Sequence, residues 1–255
     1  MVSVLKIRFV GTNYSGWQVQ KNARTVQETL QDGLEKLFGV RYSISGCSRT
    51  DSGVHANEYY AHLGSDFEFS DITRLPIALN AVLPDDIAVT DAFQREDGFH
   101  ARYSSLGKEY IYIIRNSKIR DPFYEGREFF YPKKFNFERA KEACELYVGK
   151  KDFSSFMAAH SKIEDAVRTV RECELTKDGD ERYIFRVSAD GFLYNMVRIM
   201  VGTMIYHSAG SLKMGIQDII ESKDRANAGF TAPAHGLYLN RVFYSSEELG
   251  VRSEE

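Results

Sequence analysis

The sequence predicts an α+β fold of two similar lobes, with largely antiparallel sheets flanked by helices and an active-site cleft between them. Three observations lead there. Short period-two segments alternate with amphipathic helical stripes, the same order of signals recurs after residue 108, and the connections suit hairpins as well as crossovers. At 255 residues the chain is long for one core and comfortable for two. The division falls near Tyr103 to Lys108. It gives a first lobe over 1–103, a second over 104–246 and a loose tail over 247–255.

In the first lobe, Val4 to Val10 alternates apolar and basic side chains, which predicts a half-buried strand. A turn-like stretch from Gly11 to Gly16 follows. Thr25 and Glu28 have the spacing of a capping box; Val26, Leu30, Leu34, Leu37 and Phe38 form a helical stripe, and Gly39 supplies the stop. Ile44 opens a short strand, His55 to Leu63 is extended, Leu75 to Val82 is a short helix and Ile87 to Phe93 another strand. In the second lobe, Glu109 to Arg115 is strongly β-prone, with Tyr110 and Tyr112 on one face and Ile111 and Ile113 on the other. Phe137, Ala140, Cys144, Tyr147 and Val148 mark an amphipathic helix, and Arg182 to Ser188 a strand. Asn195 to His207 and Ile216 to Ser222 are helices, and Leu237 to Tyr244 is the final strand.

Composition narrows the class. Hydrophobic residues at 43% and charged residues at 27% are those of an ordinary globular protein. Three widely spaced cysteines, Cys47, Cys144 and Cys173, offer no C-x-x-C pair and no disulfide framework, which fits a reducing cytoplasm. The N-terminus lacks the basic-then-apolar pattern of a signal peptide, and no apolar run approaches the ~18 residues of a membrane span. A net charge of −3 requires a nucleic-acid binder of this sequence to gather its Lys and Arg on one face.

Asp51 is the leading candidate for chemistry. It lies two residues after Arg49, a counter-charge, and two before Gly53, which permits the tight turn that would present a carboxylate on a loop. An Asx-type turn that merely caps backbone groups is the plainer alternative. Asp51-Ser52-Gly53 also matches the triplet of aspartic and subtilisin-like proteases. Here, however, Ser48, Arg49 and Thr50 replace an apolar strand, no second such triplet occurs, and no Gly-Thr-Ser motif is present. Arg198 lies on an apolar stretch with Met196, Val197, Ile199 and Met200, so it either meets a partner or bends out to solvent. His55, His100 and His235 have no metal-ligand spacing.

The longer segment Gly46-Cys47-Ser48-Arg49-Thr50-Asp51-Ser52-Gly53-Val54-His55-Ala56 resembles the catalytic loop of the tRNA pseudouridine synthase A family. Further motifs follow in that family's order: Gly16-Trp17-Gln18-Val19-Gln20, Leu79 to Ile87, Phe99-His100-Ala101-Arg102-Tyr103, Lys151 to Phe156, Phe192 to Arg198 and Ala232 to Leu237. The likeness spans nearly the whole chain. Ser48, Ser52 and Val10 depart from the usual Gly, Ala and acidic residue, which bears on substrate range more than on the reaction.

The resemblance implies an enzyme that isomerises uridine to pseudouridine in the tRNA anticodon arm, at positions 38 to 40. It implies a homodimer with no cofactor, no metal and no membrane association. It makes Asp51 the nucleophile and gives Tyr110, Arg49, Arg198 and Leu237 contacts with the substrate nucleotide. Trp17, Gln18, Gln20, His100 and Arg102 would be RNA contacts, with a packing anchor the plainer role for Trp17. Two other classes stay open at this point: a non-catalytic RNA-binding or RNA-folding protein on the same scaffold, and an Asp-dependent hydrolase. The hydrolase needs a second carboxylate within ~5–10 Å of Asp51.

Overall fold

The computed structural model describes residues 1–64, 67, 69, 71–159, 161 and 163–245. The tail over 247–255 lies outside the described residues. By packing, the chain divides into one unit of 1–106 with 238–255 and another of 107–237. This differs from the 1–103/104–246 division in returning the last strand to the first unit.

The first unit contains β1 (Val2–Phe9), α1 (Val26–Phe38), β2 (Ile44–Gly46), β3 (His55–Leu63), α2 (Leu75–Asn80) and β4 (Ile87–Arg95). β1 is antiparallel to both β4 and β3, and β2 is antiparallel to β3. The last strand, β10 (Leu237–Phe243), joins β3 in parallel, with Tyr238 opposite His55 and Leu239 opposite Ala56. α1 starts and stops where its signals stand. The Thr25 hydroxyl accepts from the Glu28 N–H at 3.3 Å, and Gly39 closes the helix at φ 71°. Its stripe buries Val26, Leu30 and Leu34, while Leu37 and Phe38 stay half-buried.

The second unit contains β5 (Gly107–Arg115), β6 (Phe129–Phe130), α3 (Phe137–Tyr147), β7 (Gly149–Asp152), β8 (Val167–Lys177), β9 (Arg182–Ala189), α4 (Met196–Ala209) and α5 (Ile216–Ser222). Its strands run in the order β5-β9-β8-β7, all antiparallel, with β6 parallel to β5. Thus the sheets are largely antiparallel and the fold is α+β, as expected. α4 is apolar on every side and buries all but a few of its residues, so it is a core helix rather than an amphipathic cover. α3 packs on α4 and β8. Val148, assigned to the α3 stripe, lies past its last turn and is 39% exposed. The Tyr and Ile alternation on β5 does not separate a wet face from a dry one, because Tyr110, Tyr112, Ile113 and Ile114 are all buried.

Candidate active site

The Asp51 segment is a turn placed immediately before β3. The Val54 N–H donates to the Asp51 carbonyl at 3.2 Å, closing four residues 51–54. Gly53 occupies the third position at φ 79°, a left-handed value that a side chain would oppose. Three neighbours fix the turn. The Gly53 N–H and the Ser52 hydroxyl both donate to the Tyr14 carbonyl at 3.2 Å. The Trp17 N–H donates to the Thr50 carbonyl at 3.3 Å. The Tyr59 hydroxyl donates to the Ser48 carbonyl and accepts from the Ser48 N–H. Asp51 is half-buried and Arg49 exposed.

Burial and the neighbouring Asp86 carboxylate raise the Tyr14 phenol's pKa, so the hydroxyl stays a donor, bonded to Asp86 Oδ1 at 2.5 Å. Sequence reasoning singled out neither Tyr14 nor Tyr59. Their only signals were an aromatic in a turn and one in a strand.

Of the residues assigned to RNA, Trp17 is placed otherwise: it is 3% exposed and stacks on Tyr59 at 4.2 Å. A bulky indole there fills the floor of the turn, so Trp17 is a packing residue. Gln18 and Gln20 are exposed, and Gln20 Nε2 donates to the Ser15 carbonyl at 2.9 Å. His100 Nδ1 accepts from the Arg102 N–H at 3.1 Å, holding the turn on which Arg102 and Tyr103 are exposed; the guanidinium lies 5.7 Å from the Tyr103 ring. His55 is buried, and its Nδ1 accepts from the Gly11 N–H at 2.9 Å, which is a structural role.

In the second unit, Tyr110 lies on β5, 7% exposed, with its ring edge-on to Phe192 at 5.1 Å. The Tyr112 hydroxyl donates to the Pro233 carbonyl at 2.7 Å. Arg198 is half-buried and does not bend out to solvent. Its Nε donates to the Ala232 carbonyl at 2.7 Å and its guanidinium to Asn195 Oδ1 at 2.8 Å. Asn195 itself caps α4 at φ 62°.

The loop before Leu237 lies directly against α4. A Cβ on Gly229 would sit 2.6 Å from the Gly202 carbonyl, so two backbones touch. Leu237 is 6% exposed at the end of this loop. Burial raises the Tyr112 hydroxyl far above its ordinary range, against a smaller opposing pull from Arg198. Burial also lowers His235, with Arg198 adding to that and Glu125 opposing it. The second unit thus gathers Arg198, Tyr112, His235 and Leu237 around one loop. Among the described residues no cluster of three His, Cys, Asp or Glu side chains has the form of a metal site, and no helix is long and apolar enough to cross a membrane.

A family model described as tRNA pseudouridine synthase matches residues 6–104 and 143–245. The tRNA pseudouridine synthase A of Thermoanaerobacter sp. (strain X514) is 44% identical over 94% of this chain and 98% of its own length. Those of Ruminiclostridium cellulolyticum and Staphylococcus aureus (strain MRSA252) are 42% and 36% identical, over 94% and 96% of this chain and 98% and 93% of their own. A solved Cbf5-Nop10-Gar1 complex aligns over 92% of this chain and 57% of that one, at 12% identity and TM-score 0.37. The motif order, the Asp51 turn and the full-length likeness to these relatives converge: the chain belongs to the tRNA pseudouridine synthase family.

Proposed function

We propose that this isomerase acts on uridines of the tRNA anticodon arm, at positions 38 to 40, as a homodimer, with Asp51 as its nucleophile. The observation that carries the reading is the Asp51 turn, a carboxylate on a loop held from three sides by Tyr14, Trp17 and Tyr59. Such a group is presented at a fixed position, as covalent or carboxylate-assisted catalysis requires.

The reaction breaks the N1–C1′ bond, turns the uracil and joins C5 to C1′, while the C5 proton leaves and N1 regains one. Atoms and electrons balance without a cofactor. The base must first leave its stack, at a cost of a few kcal/mol. Tyr110 offers a ring face for the extruded uracil and a phenol oxygen for the C5 proton. Arg198, fixed by Ala232 and Asn195, supplies a positive charge in a sheltered position. Arg49 fills the space that the base vacates, Leu237 forms an apolar wall, and Gln18, Gln20, His100 and Arg102 contact RNA.

Asp51→Asn preserves size and hydrogen bonding but removes the nucleophile. Single-turnover pseudouridine formation should fall by at least ~1000-fold. tRNA affinity should persist, because phosphate contacts dominate it. Near-normal turnover by Asp51→Asn would defeat the assignment. A pseudouridine map of tRNA from cells lacking the protein tests the anticodon positions.

A further inference from the structure

The second unit carries a groove of about 830 Å³ whose lining includes Lys118, Arg120, Lys133 and Lys134. All four are exposed, and none is ion-paired with another described residue. The acidic lining residues, Asp121 and Glu181, each lie 3.8 Å from the Arg115 guanidinium, which also binds Glu128. Arg115 thus engages both carboxylates of the lining, and Lys118, Arg120, Lys133 and Lys134 leave the groove with a surplus of positive charge.

The walls are fixed. Asn116 Nδ2 donates to the Tyr131 and Lys133 carbonyls at 2.6 and 2.8 Å, tying the 116–120 wall to the 131–134 wall. In a chain of net charge −3, such a cluster is the local positive field that a polyanion needs.

We propose that this groove binds the phosphodiester backbone of the tRNA at a point away from the target nucleotide. The inference rests on the tRNA reading above and adds a second contact to it. Arg115 lies five residues beyond Tyr110 on β5, about 16 Å along the strand, so the groove touches RNA other than the reacting uridine. Contacts of this kind set register and affinity but do not read sequence.

The test compares K118E/R120E and K133E/K134E with a charge-matched control, K36E/K213E, using transcribed tRNA between about 50 and 200 mM salt. Each groove variant should weaken binding by ~10-fold or more. The log–log salt slope should become shallower by about 0.7–0.9 per lost phosphate contact. The single-turnover rate at saturating tRNA should stay within about twofold of wild type. Neutral K133Q/K134Q should fall between wild type and the reversed pair.

Unchanged affinity and slope, equal weakening in the control, or weakening that follows a change in oligomeric state would each overturn the groove. If the wild type binds tRNA through the groove but forms no pseudouridine, the functional reading fails and the groove stands. If the wild type modifies tRNA and both reversed pairs bind as it does, the groove alone fails.

Discussion

Trp17 stacks on Tyr59, ring centroids 4.2 Å and planes 27° apart, and the two share the support of one turn: Trp17 through its N–H to Thr50, Tyr59 through its hydroxyl to Ser48. Deleting a buried aromatic of this size costs about 3–5 kcal/mol. Trp17→Ala should lose that much in denaturant unfolding and lose turnover as well, because the floor beneath residues 48–51 goes. Trp17→Phe should recover most of both. Full activity in a folded Trp17→Ala protein would show that the turn does not need its floor.

Gly229 tests the close approach of loop and helix. Its missing Cβ would meet Gly202 and the Thr203 nitrogen, all backbone, so no side-chain rotation relieves the clash. Gly229→Ala should cost about 1–3 kcal/mol or more. It should also reduce turnover by moving the loop that ends in Leu237. A change under about 0.5 kcal/mol, the range of ordinary surface substitutions, would contradict this geometry.

Arg198 makes hydrogen bonds in two directions, to Ala232 and to Asn195. An ammonium on a flexible stem does not reproduce that fork. Both Arg198→Met and Arg198→Lys should therefore lose turnover, at least ~10-fold, and about 1–3 kcal/mol of stability from the buried groups left unpaired. Asn195→Ala removes only the contact to the amide oxygen. If turnover by Asn195→Ala and Arg198→Lys matches wild type while stability falls, the arginine is structural only.

Acid should weaken the fold through three histidines. Burial is the largest cause of a lowered pKa at His62, His207 and His235. A lowered folded-state value means that the unfolded chain takes up protons first. Their contribution is thus complete above the ordinary histidine pKa near 6.5 and declines as pH falls below it. His62 adds a geometric reason: its Nδ1 accepts from the Ala101 N–H at 3.2 Å, and protonation there turns an acceptor into a donor. Unfolding free energy should climb from pH 5 to pH 7, less steeply in His62→Gln. Equal slopes would exclude His62.

Much of the fold was legible where local chemistry and tertiary demand agree. α1 is capped by Thr25 and Gly39 as its signals predict, and β3 spans His55–Leu63, the stretch read as extended. β8 was not legible, although it is the longest strand. A register shift between Val170 and Glu172 breaks its period, and the charged Arg168, Arg171, Glu172 and Glu174 leave it no continuous apolar stripe. β7, Gly149–Asp152, contains no apolar side chain.

At the site, the Asp51 turn was visible because glycine and aspartate carry conformational meaning on their own. The supporting roles of Tyr14, Tyr59 and Asn195 depend on partners such as Ser52, 38 positions from Tyr14, and Asp86, 72 positions from it, and no local pattern encodes them.

Because the strand from Tyr238 onward completes the first unit, residues 107–237 form an insertion within it. A ribosome adding about 5–20 residues per second takes roughly 7–26 s to cross that insertion. Throughout that interval the edge of β3 at His55 and Ala56, just past the Asp51 turn, has no partner strand, and open edges recruit foreign ones. The second unit closes first, and the earliest-made half of the molecule is the last to mature. A chain stalled before Tyr238 should accordingly resist protease over 107–237 and be cut near His55. The newborn enzyme stays inert, and vulnerable to misassembly, until the strand that begins at Leu237 has been made.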